Sequence, residues 1–310
     1  MKISGFSKFK NIYQESVIGN KLTEKYTDSY VSKLANSAHS KMVYDYDKDI
    51  LELTQRIILP KTKAETVLIK STTPSKKYCL FFPGGTSNIC NYQTLYRSLA
   101  HNGISVLPVE YCGYGLNKNM EASYGKLVDV AQDAYKYLTE ILKVSPKDIS
   151  IVGYCLGSWP ASTIAKASDC QKLILISPIT RLSDVSRGYT EAKGIVKNFS
   201  PFEQFLTETL FFKKKIASKL NSLKNIENIK CPIMVMSSDK DPVIGTKFID
   251  KFKKIFPKHE QGSFIHFRNF EDGHILTNSK IDYIVNLITG DNVTKQSQIR
   301  YITGKHSGKA

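Results

Sequence analysis

The chain lacks the patterns that mark several large classes of protein. No apolar run in its 310 residues approaches the ~18 residues that cross a membrane. Residues 1–13 are basic and polar, without the apolar segment of a secretory signal, so we expect a cytoplasmic protein. The six cysteines include no Cys-x-x-Cys pair. We therefore expect neither a disulfide framework nor a zinc site, and a reducing compartment fits best.

Motifs for cofactor chemistry are also missing. There is no Gly-x-x-x-x-Gly-Lys-Ser/Thr loop and no His-Glu-x-x-His pair. Gly113-Tyr114-Gly115 lacks the third glycine of a dinucleotide-binding turn. The sequence therefore predicts no cofactor and no metal.

Acidic residues are scarce, with 28 Asp and Glu against 44 Lys and Arg and a formal net charge of +16. Such an excess can attract nucleic acid or anionic lipid, or can be lysine spread over solvated surfaces. No basic motif interleaved with aromatic residues is present, so we predict no nucleic-acid partner. One cluster is prominent, Lys213-Lys214-Lys215.

The apolar pattern divides the chain into three parts. Residues 1–48 are polar and predict a helical extension, and residues 291–310 predict a flexible tail. Between them, residues 49–290 alternate strands with helices, which favours a mostly parallel sheet covered on both faces. Residues 178–231 interrupt the alternation and predict an inserted cap. The strands are expected at 51–59, 66–70, 78–82, 104–110, 149–152, 173–176, 233–236 and 263–267.

Gly153-Tyr154-Cys155-Leu156-Gly157 lies between a β-branched run and a small-residue helical segment. Strand, sharp turn and helix together predict a nucleophile elbow, in which small flanking residues allow close packing. Cys155 would stand at a helix N-terminus, which favours its thiolate. The alternative is a buried core cysteine with no chemical role.

An acyl-transfer site also needs a base, an acid and oxyanion donors. His274 follows the last predicted strand and a glycine, so it is the candidate base. Asp241 follows the preceding strand and is the candidate acid, with Asp239 the weaker choice. The Leu156 N–H and an N–H from the loop containing Gly85 and Thr86 are the candidate oxyanion donors.

The order of nucleophile, acid and histidine resembles that of the α/β-hydrolase superfamily over residues 52–290. The box around Cys155 looks like the cysteine elbow of the dienelactone hydrolase family, and a similar box occurs in polyester synthases, whose histidine also lies in Gly-His-Ile. Three positions depart from the superfamily pattern. Ser158 replaces a glycine, Pro83 stands where many members have histidine, and Cys112 stands where many have arginine.

The resemblance implies an α/β-hydrolase fold and a hydrolase that attacks a carboxylic ester, thioester or lactone through Cys155, His274 and Asp241. An acyltransferase would use the same residues with another acceptor. The expected partner is a small-molecule or lipid-like acyl substrate. A catalytically silent protein is the third possibility, because the aromatic and basic stretch at 202–215 of the cap could contact an anionic membrane.

Overall fold

The structure, a computed structural model, describes residues 46–179, 222–244 and 265–290 and the isolated positions Ser32, Ala35, Asp250 and Lys254. Its centre is an eight-stranded sheet with the order β1-β2-β4-β3-β5-β6-β7-β8. The strands are β1 Thr54–Ile58, β2 Glu65–Ile69, β3 Lys77–Phe82, β4 Ile104–Pro108, β5 Ile149–Tyr154, β6 Lys172–Ile176, β7 Ile233–Ser238 and β8 Ile265–Phe270.

The sheet is parallel from β4 to β8, and β2 pairs antiparallel with both β1 and β4. The predicted mostly parallel sheet is therefore confirmed. Strands β4 and β5 are buried along their whole length, as continuous apolar runs require when helices cover both faces. The carboxyl ends of β5, β7 and β8 all lie at the same edge of the sheet.

Helices cover the two faces of the sheet, which separates two apolar cores. One core contains Leu127 and Ile164. The other contains Leu95 and Ile284. The helices are α1 Lys48–Leu53, α2 Gln93–His101, α3 Tyr124–Lys136, α4 Ser158–Lys166, α5 Ser222–Ile226 and α6 Asn278–Thr289. Within the described residues, no helix is both long and apolar enough to cross a membrane.

The first strand begins later than its apolar pattern predicts. Residues 51–53 belong to α1, which buries Ile50. Arg97 fixes this helix by ion pairs to Asp47 and Asp49, each at 2.5 Å. A short apolar run does not distinguish a strand from one helical turn, and these contacts between distant segments select the helix.

Parts of the predicted domain boundaries can be compared with the structure. Residues 222–231, assigned to the cap from sequence, begin with α5 and bury Ile226 and Ile229 in the same core as α4. Asn225 also donates to Ser162 and Thr163 of α4 at 3.1 and 3.0 Å. The rest of the cap after Ile179, the tail at 291–310 and most of residues 1–48 lie outside the described residues.

All six cysteines are described, and none is in a disulfide. Five of them are buried and Cys155 is partly exposed. The Sγ atoms of Cys170 and Cys231 lie 3.2 Å apart, as two thiols in contact. Cys155 is thus the most accessible thiol in the described part of the chain.

Candidate active site

Cys155 occupies a sharp turn between β5 and α4. Its φ is +51°, in the left-handed region that costs a non-glycine residue about 1–3 kcal/mol. Packing around the turn holds this conformation. A Cβ on Gly153 would lie 2.6 Å from the Ala161 side chain, and a Cβ on Gly157 would overlap the Phe82 carbonyl. The two glycines therefore let strand and helix approach closely enough to present the thiol at the sheet edge.

Ser158, the residue that departs from the superfamily pattern, ties this turn to the chain after β6. Its hydroxyl donates to the Cys155 carbonyl at 2.6 Å and accepts from the Ile179 N–H at 3.1 Å. The Ser222 hydroxyl donates in turn to the Ile179 carbonyl at 2.9 Å. Both serines are fully buried. The Ser158 side chain, which a glycine would lack, thus links the elbow to Ile179 and, through it, to Ser222, the residues on either side of 180–221.

The structure brings His274 and Asp241 together. Asp241 follows β7 and His274 follows β8, and the His274 Nδ1 lies 2.8 Å from Asp241 Oδ2. The other oxygen, Oδ1, accepts from the N–H groups of Val243 and Ile244, both at 2.8 Å. This second set of bonds fixes the carboxylate with one oxygen aimed at the imidazole. Asp239 bonds the Asn269 side chain instead.

The environment of the pair favours charge on both members. Burial alone would raise the pKa of Asp241, but hydrogen bonds from His274 and the Ile244 N–H lower it below its ordinary value. Burial alone would lower the pKa of His274, but the hydrogen bond to Asp241 and the nearby Cys155 side chain raise it to about 10.

Cys155 lies beside this pair, and its side chain is among the causes that raise the pKa of His274. Because Nδ1 faces Asp241, Nε2 is the nitrogen left for the thiol. Both partners are reachable by solvent, since Cys155 is partly exposed and 19% of the His274 side chain is accessible. The candidate nucleophile, base and acid therefore come together from three segments of the chain.

Three tyrosine hydroxyls hold the loop after β3. Tyr111 donates to the Pro83 carbonyl at 3.2 Å, and Tyr114 donates to the Gly85 carbonyl at 3.0 Å. The Gly84 N–H donates to the Tyr92 hydroxyl at 3.0 Å. None of these three bonds uses the N–H of Gly85 or Thr86, the donors proposed from sequence.

The structure also shows contacts that sequence analysis missed. Tyr154, next to Cys155 in sequence, donates to the His274 carbonyl at 2.8 Å. Lys280, in the first turn of α6, is completely buried and donates to carbonyls beside His274. One sequence signal for Lys280 exists, since it lies four and seven residues before Ile284 and Leu287 on the apolar face of α6. A charge on such a face needs a specific partner.

Comparison with known proteins supports the fold described above. A family model described as Serine aminopeptidase, S33 matches residues 73–222. The lysophosphatidylserine lipase ABHD12 of Danio rerio is 24% identical over 193 residues, which cover 58% of this chain and 48% of the lipase. The chain thus spans about half the length of that curated relative.

Solved structures show the same fold at low identity. An esterase of Pyrococcus furiosus superposes with a TM-score of 0.58 and 15% identity, covering 84% of this chain and 96% of the esterase. A puromycin-hydrolyzing peptidase of Mycobacterium tuberculosis gives a TM-score of 0.55 and 17% identity, covering 76% of this chain and 37% of the peptidase. The sheet order, the elbow and these matches show that the chain has an α/β-hydrolase fold.

Proposed function

We propose that the protein is a cysteine hydrolase that cleaves a carboxylic ester, thioester or lactone through an acyl-enzyme on Cys155. The observation that carries the proposal is the hydrogen bond between Asp241 and His274, beside which Cys155 lies on its sharp turn. The similar proteins include a lipase and an esterase, which supports ester cleavage as the reaction class. The matching family is named for a serine, so the cysteine nucleophile rests on this chain's own residues.

In the first half-reaction the Cys155 thiolate attacks the acyl carbon, and the carbonyl π electrons move to oxygen. The N–H groups of Leu156 and of Gly85 or Thr86 stabilise this oxyanion. Its electrons then reform the carbonyl and break the bond to the alcohol or thiol. That leaving group takes the Nε2 proton of His274, and the acyl group remains on Cys155 as a thioester.

In the second half-reaction His274 takes a proton from water as the water oxygen attacks the thioester carbonyl. Collapse releases the carboxylic acid and returns the Cys155 thiolate with a protonated His274. Acylation consumes the thiolate, whose hydrogen bond and charge are among the causes that raise the pKa of His274. The acyl-enzyme therefore lowers the proton affinity of His274 at the step in which it acts as a base.

The substrate we infer is a small-molecule or lipid-like acyl compound. Support comes from Ile275, which directly follows His274 and is 65% exposed, a large apolar side chain beside the site. The membrane contact and the cytoplasmic location expected from sequence stay predictions, and the stretch at 202–215 lies outside the described residues.

Intact-mass spectrometry after brief exposure to p-nitrophenyl esters and simple acyl thioesters tests the proposal. We expect one acyl adduct on Cys155, none in Cys155→Ala and a slower one in His274→Ala. Cys112→Ala is the matched control, because it removes a buried thiol outside the proposed triad. Cys155 should be acylated normally in this variant. An adduct on another residue, or acylation that does not depend on His274, would contradict the mechanism.

The decay of that adduct distinguishes the two fates of the acyl group. Loss in buffer alone at a rate that supports turnover indicates a hydrolase. Decay that requires an added alcohol or amine indicates an acyltransferase. A Cys155 that reacts with iodoacetamide but with no acyl donor in a wide panel would favour the catalytically silent alternative.

A further inference from the structure

Lys280 is a buried lysine beside the candidate site. Its side chain is 0% exposed, although lysine is almost never fully buried without a partner. It lies in the first turn of α6, the helix that follows the His274 loop. The contacts that compensate its burial therefore indicate what the residue holds in place.

Those contacts converge on both neighbours of His274. The Lys280 Nζ donates to the Gly273 carbonyl and to the Ile275 carbonyl, each at 2.7 Å. The same nitrogen lies 2.8 Å from Asp272 Oδ1, which supplies the counter-charge. One ammonium group thus holds the carbonyls of the residues immediately before and after the candidate base.

Asp272, the counter-charge of Lys280, is itself held by side chains at the start of α6. The hydroxyls of Thr277 and Ser279 both donate to Asp272 Oδ2, the second at 3.0 Å. The Nζ also lies 5.8 Å from the centroid of the Phe270 ring, close enough for a favourable cation–π contact. Lys280 therefore has few alternative positions.

The loop needs such an anchor because its backbone turns sharply. Gly273 has a φ of +76°, and its N–H donates to the Ser238 hydroxyl at 2.9 Å. The Ser238 and Tyr154 contacts hold the loop from β7 and β5. The Lys280 contacts hold it from the helix side, so the imidazole is constrained from both directions.

We propose that Lys280 is a positioning residue that aligns the His274 imidazole with Asp241 and Cys155. The alignment with Asp241 stands on the observed geometry, and the alignment with Cys155 rests on the function proposed above. A purely structural ion pair between Lys280 and Asp272 is the competing explanation. The two differ in their effect on His274 when the lysine is removed.

The direction of that effect follows from the charges that face His274, which are Asp241 and Cys155, with Lys280 and Asp272 beyond them. Removing the Lys280 cation and leaving the Asp272 carboxylate would, by charge alone, raise the pKa of His274. Loosening the contacts to Asp241 and Cys155 would lower that pKa, because those contacts raise it. A lower pKa therefore reports lost alignment.

The test is a histidine NMR titration of the full chain, with the signals assigned by His274→Ala. In the wild type we expect His274 to titrate at about 10 and to show a downfield Nδ1 proton bonded to Asp241. In Lys280→Met we expect the downfield signal to weaken and the acid dissociation constant of His274 to rise about tenfold or more, one pKa unit. Alkylation of Cys155 by iodoacetamide at neutral pH should slow in parallel.

Lys77→Met is the matched control. The Lys77 Nζ also donates to a carbonyl of α6, that of Thr289 at 2.9 Å, but at the opposite end of the helix from His274. The control should leave the His274 signals unchanged. If Lys280→Met disturbs folding, the double variant Lys280→Met with Asp272→Asn removes both charges of the pair and leaves none uncompensated.

An unchanged or raised pKa of His274 in either folded Lys280 variant, with the downfield proton intact, overturns the proposal. The downfield proton reports the bond to Asp241 whether or not Cys155 accepts acyl groups. Loss of that proton in Lys280→Met together with failed acylation of the wild type would refute the proposed function and leave the positioning role standing. Normal acylation with an unaffected His274 in Lys280→Met would refute the positioning role alone.

Discussion

Tyr154 and His274 are joined by two contacts. The Tyr154 hydroxyl donates to the His274 carbonyl at 2.8 Å, and the two rings lie 5.3 Å apart between centroids. Tyr154 directly precedes the candidate nucleophile, so the same residue lies next to Cys155 in sequence and next to the candidate base in space.

Replacing Tyr154 by phenylalanine keeps the ring contact and removes the hydroxyl. A hydrogen bond of this kind contributes about 1 kcal/mol, so we expect acylation of Cys155 to slow by about fivefold. The measurement is the rate of adduct formation by mass spectrometry. Tyr283→Phe is the control. Tyr283 lies on α6, and its hydroxyl is 4.0 Å from the Met234 sulfur. Equal slowing in both variants would show that the bond to His274 has no special effect.

Gly157→Ala should collapse the elbow. The added Cβ would overlap the Phe82 carbonyl and lie 2.7 Å from the Pro83 oxygen, and backbone atoms cannot rotate away. Overpacking of this kind costs about 1–3 kcal/mol of unfolding free energy. Acylation should also be lost, because Cys155 and the loop after β3 would be displaced together.

Gly125→Ala provides the comparison within α3. A Cβ there meets nothing within 4 Å, and alanine in a helix is favoured over glycine by about 1 kcal/mol. Urea denaturation should therefore show destabilisation at position 157 and stabilisation at position 125. A stable, active Gly157→Ala protein would contradict the close packing described for the elbow.

Glu110 should make stability depend on pH. It is completely buried, and burial raises its pKa from 4.5 to about 8, although the N–H groups of Ile89 and Leu116 partly oppose the shift. Its protonated form is therefore favoured in the folded chain. The contribution of Glu110 to the free energy of unfolding is fully present below about pH 4.5 and is lost as the pH rises through about 8.

Glu110→Gln removes this titration. Between the pKa values of Glu110 in the unfolded and the folded chain, the folded chain binds one more proton than the unfolded chain. The free energy of unfolding therefore falls by about 1.4 kcal/mol per pH unit. We expect the wild type to show up to this additional slope relative to Glu110→Gln in urea denaturation at several pH values. Glu52→Gln, at an exposed position, should keep the wild-type slope. Identical slopes in wild type and Glu110→Gln would mean that Glu110 is charged when buried.

The sheet and the main parts of the candidate site could be predicted because they depend on local patterns and on chain order. Continuous apolar runs mark β3 to β7 as buried strands, and Asp241 and His274 each follow a strand. Since parallel strands end at one edge, the positions after them must lie near one another. The contact between His274 and Asp241 follows that logic.

The supporting contacts could not be predicted, because they depend on how far a side chain reaches once the backbone is folded. The Tyr114 hydroxyl meets a carbonyl 29 positions earlier, and nothing in the local pattern specifies that partner. The same holds for the burial of Lys280. The predicted start of β1 was wrong for a related reason, since Arg97 stabilises α1 from a distant part of the chain.

The place of β8 in the sheet has a consequence for how the molecule folds. β8 is the last strand in the sheet order and pairs with β7, and most of its residues are only partly buried. The candidate base lies in the loop that follows β8, and its carbonyl meets a tyrosine 120 positions earlier in the chain. During synthesis the thiol therefore emerges long before the imidazole that pairs with it, and contacts between such distant segments form late. Edge strands also open most readily after folding. Reactivity of Cys155 would thus mark the last stage of folding and the first stage of local unfolding.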